Sequence, residues 1–141
     1  MKVTFTIPGD PKGKGRPRFS RAGAYVKTYT PTETATYENL VIIEYERQCK
    51  YRFPDDAMLD MRIMAYYSIP KSAGKKKRLK MLDNLIRPTK KPDMDNVIKV
   101  IADSLNQIAY KDDTQIVDAQ VRKFYSDEPR VVVMIQEVIN V

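Results

Sequence analysis

Val3, Phe5 and Ile7 alternate with Lys2, Thr4 and Thr6, a period of two that predicts a strand with one buried face. Pro8 and Gly9 end it, and the Gly- and Pro-rich PGDPKGKGRPRF stretch that follows predicts a loop whose glycines allow close backbone approach to a phosphate. Thr30, Pro31 and Thr32 supply helix-start signals with Glu33 in the first turn. Tyr37, Leu40, Val41, Ile43, Tyr45 and Cys49 then predict one helix face through residue 50. Over residues 58–69, Leu59, Met61, Ile63, Ala65 and Tyr67 fall on one side and Asp60, Arg62 and Tyr66 on the other, predicting a strand with one wet face. A long connection follows, in which residues 75–84 predict a short basic helix. Val97, Ile98, Ile101, Leu105 and Ile108 mark the buried stripe of a second main helix over residues 95–107, barred from starting earlier by Pro92 and capped by Asp93 or Asp95. Two β-rich runs, 115–125 and 130–139, flank a turn at residues 126–129 and predict a closing hairpin. The order strand, helix, strand, helix, hairpin predicts one α+β domain over residues 1–141, with a largely antiparallel mixed sheet and two main helices.

Composition narrows the chemistry. The chain has no histidine, which excludes serine–histidine triads, histidine general bases and histidine-ligated zinc. Its single cysteine excludes an internal disulfide and a multi-cysteine zinc site. Carboxylates, lysines and hydroxyls are left to act, and clustered carboxylates favour a hard cation, Mg²⁺ or Mn²⁺. PKGKGRPRF lacks the Gly-Lys-Ser/Thr ending of a Walker A loop, and no small-molecule cofactor is expected. The N-terminal stretch has no apolar segment of the signal-peptide kind, and no run approaches the roughly 20 apolar residues of a membrane span. A cytoplasmic protein without a membrane partner is the expectation.

The net charge of +7 is unevenly spread. Residues 11–32, with Lys12, Lys14, Arg16 and Arg18, and residues 71–92, with Lys75, Lys76, Lys77, Arg78, Lys90 and Lys91, together hold 15 of the 25 basic residues and one of the 18 acids. The remainder of the chain is net acidic. Such segregation is the footprint of a polyanion binder, and those ten named residues are the expected DNA contacts. Mutual repulsion also predicts that residues 71–92 are mobile without DNA.

The acids concentrate in KKPDMDNVIKVIADSLNQIAYKDDTQIVD. Asp93 and Asp95 stand two apart at a helix entrance, where extended backbone points both side chains one way, so the two can share a cation. Asp95, Lys99 and Asp103 recur every fourth residue along one helix face. Asp112 and Asp113 follow the helix. A helix of about 12 residues runs about 18 Å, so Asp113 reaches Asp93 and Asp95 only if the chain folds back or a second chain supplies it. The corresponding chemistry is phosphodiester hydrolysis, with a cation activating water and Lys99 stabilising charge on the phosphate or leaving oxygen. A purely structural account has Asp95 as a cap, Lys99 in helix-face pairs and Asp112–Asp113 as a turn.

The string Lys-Pro-Asp93-Met-Asp95-Asn96-Val-Ile-Lys99, then Asp103, then Asp112-Asp113-Thr-Gln115-Ile-Val-Asp118, resembles the RusA family of Holliday junction resolvases, with its D-x-D-N-x-x-K and D-D-x-Q-V elements. PKGKGRPRF, YTP and SIPKSAGKKKR also resemble phage-borne members, so the likeness touches nearly the whole chain. It implies a RusA-like fold, a homodimer, and Mg²⁺-dependent paired nicking of four-way DNA in recombination and repair. By the same likeness Asp93, Asp95 and Asp113 are catalytic and metal-binding, Lys99 is the essential lysine, and Asp103 and Asp112 are accessory acids. Ala102 stands where some relatives carry an aromatic. A two-fold dimer also suits the approximate two-fold symmetry of a four-way junction on physical grounds. Two other readings share these residues: a carboxylate–metal nuclease for other branched DNA or RNA, and a non-catalytic basic DNA-binding dimer.

Overall fold

The computed structural model describes residues 1–15, 18–22, 25–29 and 31–139, with backbone alone for 18–22 and 25–29. In chain order it contains β1 (Lys2–Pro8), β2 (Arg18–Ala22), β3 (Tyr25–Tyr29), α1 (Thr32–Gln48), β4 (Leu59–Ser68), α2 (Lys75–Leu82), α3 (Met94–Ser104), a single 3-10 turn (Asp113–Gln115), β5 (Ile116–Ser126) and β6 (Arg130–Glu137). The fold is α+β, as the periodicity predicts.

The main sheet runs β1-β6-β4-β5. β6 is antiparallel to both β1 and β4, whereas β5 is parallel to β4. This corrects the expected closing hairpin. β5 and β6 are joined through residues 127–129, but β4 lies between them. Two strand spacings are about 9.6 Å, within reach of four backbone steps of about 3.8 Å, so a short connection need not close a ladder. Pairing of β4 with both β6 and β5 places a strongly apolar strand inside the sheet. Leu59, Met61, Ile63, Ala65 and Tyr67 are all at most 2% exposed. A second, two-stranded sheet pairs β2 with β3 within the region read as basic loop.

The core forms where α1 and α3 cover one face of the main sheet. α3 buries Val97, Val100, Ile101 and Leu105, and α1 buries Thr34, Tyr37, Val41 and Tyr45. Ile43 lies off that stripe and is 59% exposed, which corrects its assignment to the buried face. Phe5 meets Tyr45 edge-on at 5.1 Å between ring centroids, tying β1 to α1. The basic segment is anchored in three ways. Met81 is buried, Arg78 pairs with Asp127, and Arg87 Nε donates to Lys123 O at 2.9 Å.

Leu105 closes the C-terminal end of α3 at zero exposure. Leu105→Ala should cost about 2–5 kcal/mol in chemical denaturation, by lost transfer energy and a cavity. Leu85→Ala, at a side chain 74% exposed, should stay within about 0.5 kcal/mol of wild type.

Candidate functional site

Burial of the apolar stripe of α3 turns Asp95, Lys99 and Asp103 outward. Asp95 and Lys99 are exposed, and Asp103 is half-buried. Asp93 occupies the N-cap position, but its side chain makes no capping hydrogen bond. Its carboxylate instead faces Tyr67 and Lys123. Burial pushes the Tyr67 hydroxyl up to about 12, with the charge of Asp93 adding to the effect. Partial burial lowers the Lys123 ammonium, which Asp93 partly offsets. Tyr67 Oη donates to Pro92 O, and Lys123 Nζ donates to Lys90 O at 2.7 Å. The exposed carboxylate at the helix entrance thus lies within electrostatic range of a hydroxyl and an ammonium carried by the ends of β4 and β5.

The other acids gather at the opposite end of α3. The carboxyl groups of Asp113 and Asp103 are close neighbours, and Asp112 is adjacent. Desolvation raises the Asp113 carboxyl above its ordinary value, and its interactions with the Asp103 and Asp112 carboxyls raise it further. Backbone contacts hold Asp113 in place. Its N–H donates to Asn106 Oδ1 at 2.8 Å. Gln115 Oε1 accepts from the N–H groups of Lys111 and Asp112, while its Nε2 donates to Pro54 O at 3.0 Å and Ala57 O at 3.1 Å. Asp112 completes a capping box with Gln115 and accepts from Thr114 N, which holds its carboxyl below the usual range. Tyr110, fully buried beneath these acids, donates to Ala102 O at 2.6 Å.

Lys14 reaches this end from the N-terminal loop, with Nζ 3.0 Å from Asp103 and 3.5 Å from Glu38. Partial burial opposes its charge, but the Asp103 hydrogen bond and the Glu38 and Asp103 carboxylates outweigh it and raise its pKa. Its charge is taken up inside the protein. The glycines of the loop have a steric reason for being there. A Cβ on Gly13 would sit 3.1 Å from the Cβ atoms of both Asn96 and Pro92, and one on Gly15 would sit 2.6 Å from Thr34 Oγ1. These glycines let the loop lie against α1 and α3, forming with Lys12, Lys91 and Asp93 a cleft of about 1030 Å³.

Asp95 and Asp103 are eight residues apart, about 12 Å along the axis. Within one chain, therefore, Asp93 and Asp95 stand at one end of α3 and Asp103, Asp112 and Asp113 at the other. Among the described residues no three acids gather closely enough to hold one ion. The donors nevertheless fit a hard divalent cation: two exposed carboxylates at one end, and at the other the neighbouring Asp103 and Asp113 carboxyls, of which Asp113 is held above its ordinary pKa by desolvation and its neighbours. Lys75, Lys76 and Lys77 are exposed along α2, as are Lys12, Lys90 and Lys91. Arg16 lies outside the described residues, as does the side chain of Arg18. Sequence reasoning missed Tyr67, Lys123, Glu38, Asn106 and Tyr110; none has a spacing signal, because each meets the acids through tertiary contacts.

An α+β domain that displays carboxylates along an exposed helix face between strongly basic segments has the layout of a metal-assisted nuclease. Residues 8–136 match the family described as Endodeoxyribonuclease RusA, and the chain belongs to that family, whose members act on DNA as crossover junction endonucleases. The chain is also 40% identical over 139 residues to the uncharacterized protein YqaN of Bacillus subtilis strain 168, covering 96% of each chain. No helix among the described residues is long and apolar enough to cross a membrane.

A raised carboxyl pKa means that the folded metal-free protein holds its proton more tightly than the unfolded chain. That contribution favours folding at low pH and is lost as pH rises through the raised value. In EDTA at pH 7, Asp113→Asn should melt above wild type, and the gap should close towards pH 4. A lower melting temperature at both pH values would contradict this account of the Asp103–Asp113 pair.

Proposed function

We propose that the protein is a Mg²⁺-dependent endodeoxyribonuclease, with Mn²⁺ able to substitute, that resolves four-way DNA junctions by paired symmetric nicks as a homodimer. The observation that carries this reading is the distribution of acids and bases around α3 in a chain of the RusA family. In it Asp93, Asp95 and Asp113 are the metal-holding carboxylates. Lys99, on the same helix face as Asp95, neutralises charge on the attacked phosphate. Asp103, Asp112, Tyr67 and Lys123 position the acids. A bound Mg²⁺ supplies water activation and charge neutralisation at the phosphate. Lys12, Lys90 and Lys91 hold the adjoining backbone by phosphate contacts that carry little base information and weaken with salt.

The separation of Asp113 from Asp93 and Asp95 along α3 gives the homodimer a chemical role. A site assembled from Asp93 and Asp95 of one protomer and Asp113 of its partner needs no rearrangement of α3. The open edge of β5 suits the contact. It is an outer strand of the sheet, residues 117–120 are exposed, and Val117 is 54% exposed. Long exposed edges are templates for another strand. Antiparallel pairing of β5 with its own copy about Ala119 sets Asp118 opposite Gln120 of the partner subunit and Val117 opposite Val121 of the partner subunit. The register avoids opposing like charges. It carries Asp113 towards the strand end where the partner's Lys123 and Asp93 stand.

Purified protein should nick a synthetic four-way junction symmetrically with Mg²⁺, leave matched duplex and single strand intact, and lose activity in EDTA or as Asp95→Asn. Asp95→Asn and Asp113→Asn, each inactive alone, should recover single nicks when mixed as heterodimers, because one shared site is then intact. Cleavage of all substrates would redirect the reading to a general nuclease, and failure of the mixture to nick would return all ligands to one chain. Val117→Lys should convert the dimer to monomer in analytical ultracentrifugation without lowering the melting temperature by more than a few degrees; an unchanged dimer would exclude the β5 edge.

A further inference from the structure

The outer face of the sheet carries a second concentration of chemistry. The parallel register of β4 and β5 sets Tyr66 opposite Phe124, and their rings stack at 5.6 Å with an interplanar angle of 27°. The Arg130 guanidinium lies 4.0 Å from the Tyr66 ring centroid. Arg87 and Arg122 lie 4.5 and 4.9 Å from that of Phe124. On the other face and edge of the same strand ends, Lys123 stands 5.0 Å over Tyr67 and Lys90 5.6 Å over Tyr125. Significant cation–π contacts occur roughly once per 70–80 residues, so a chain of this length is expected to hold about two. Here all five fall at the same end of β4 and β5, three of them on the outer face.

These cations are not neutralised locally. Arg87, Arg122 and Arg130 make no salt bridge among the described residues, and Asp127 at the adjoining turn is paired with Arg78. Arg87 and Arg122 are exposed although the Phe124 beneath them is buried. A guanidinium seated on a ring is held in place by it. Arg87 Nε donates to Lys123 O, and Arg130 Nη1 donates to Ser126 Oγ and Glu128 O; the remaining N–H groups can meet phosphate oxygens, and the guanidinium planes an unstacked base. Bases within a duplex are already stacked on one another and cannot use such a surface.

We propose that Tyr66, Arg87, Arg122 and Arg130, backed by Phe124, form a stacking platform for an unpaired DNA strand, distinct from the acid-bearing site. Its position follows from the pleat. Tyr66 and Tyr67 are consecutive and face opposite sides of β4. Tyr67 Oη donates to Pro92 O beside Asp93. A strand peeled away near Asp93 passes over the ends of β4 and β5, which the β5–β5 pairing leaves open, and reaches the platform on the opposite face of the sheet. The platform would favour branched over fully paired DNA by engaging bases that only a branch releases. This inference rests on the DNA-processing reading for its substrate but not on cleavage.

The test is anisotropy binding of labelled oligothymidylate and of a duplex of equal length, in EDTA, to the full chain and to Arg122→Gln and Tyr66→Leu. Each variant should weaken oligothymidylate binding about fivefold or more, in line with the loss of one stacked base, and change duplex binding less than twofold. Oligothymidylate carrying 5-iododeoxyuridine should photocrosslink to the peptide containing Tyr66. Equal losses on both DNAs would reduce the patch to general electrostatic attraction and overturn the proposal. Unchanged binding by Arg122→Gln, with unchanged circular dichroism, would leave the cation–π contacts structural only and overturn it as well. Nicking is scored separately on the junction. A chain that binds as expected but never cuts keeps the platform and loses the nuclease reading, and a chain that cuts while both variants bind normally loses the platform alone.

Discussion

The burial of one stripe of α3 against the sheet is the constraint from which the remaining arrangement follows. Val97, Val100, Ile101 and Leu105 are at most 1% exposed, so the helix cannot rotate without bringing apolar area into water. With that face fixed, Asp95, Lys99 and Asp103 must point outward. The direction of the helix is fixed as well. β4 and β5 are parallel, so the chain between them has to return along the sheet, and α3 runs back against β5. That return places Asp93 beside Lys123, near the end of β5, and Asp103 beside Asp113, just ahead of its start.

Fixed backbone leaves electrostatics to be settled by side chains. At the Asp113 end the protein holds two carboxyls close together and, among the described residues, sets Lys14, itself shared with Glu38, against them. Asn106 and Gln115 keep the loop from relaxing away, through bonds to backbone groups of residues 111–113 and to the 54–57 loop. Repulsion maintained by a built scaffold differs from a turn that happens to contain two aspartates. A turn of that kind would let both carboxylates swing into water at no cost. The buried Tyr110 hydroxyl, bonded to Ala102 O, ties the same loop to the end of α3.

Much of this was legible in the chain because it depends on local period. The alternation in β1 and β4 and the stripes of α1 and α3 identified those four elements and the part of the core they bury; β2 and β3, in a stretch read as loop, and buried residues such as Phe53, Ala109 and Tyr110 carried no such period. Ile43 was misread because an apolar residue one position off a stripe still fits a loose pattern. The closing hairpin was misread for a deeper reason. A turn signal between two β-rich runs says that the chain reverses, and it says nothing about whether a third strand enters the gap. β4 does enter it, and there its alternating apolar face is buried from end to end. The acids at 93, 95, 103, 112 and 113 were visible as a motif. Their division between the two ends of α3 was not, since it follows from the parallel pairing of β4 and β5.

The same parallel pairing links the two faces of the sheet. In a parallel ladder residues of like parity lie side by side, so the register that sets Tyr67 beside Tyr125 on the helix side also sets Tyr66 beside Phe124 on the other. Neither pair has any sequence signature, because the partners are 58 residues apart. A hairpin between β5 and β6 would have placed Phe124 next to β6 and left Tyr66 without its ring partner. The crossover that separates the acids along α3 is thus also what concentrates aromatic rings and arginines at the far end of β4 and β5. A protein that handles a branched polyanion has use for both results. In the proposed dimer a second copy completes the carboxylates spaced along a rigid helix, and in the proposed platform the guanidiniums stacked on rings take bases that paired DNA does not release.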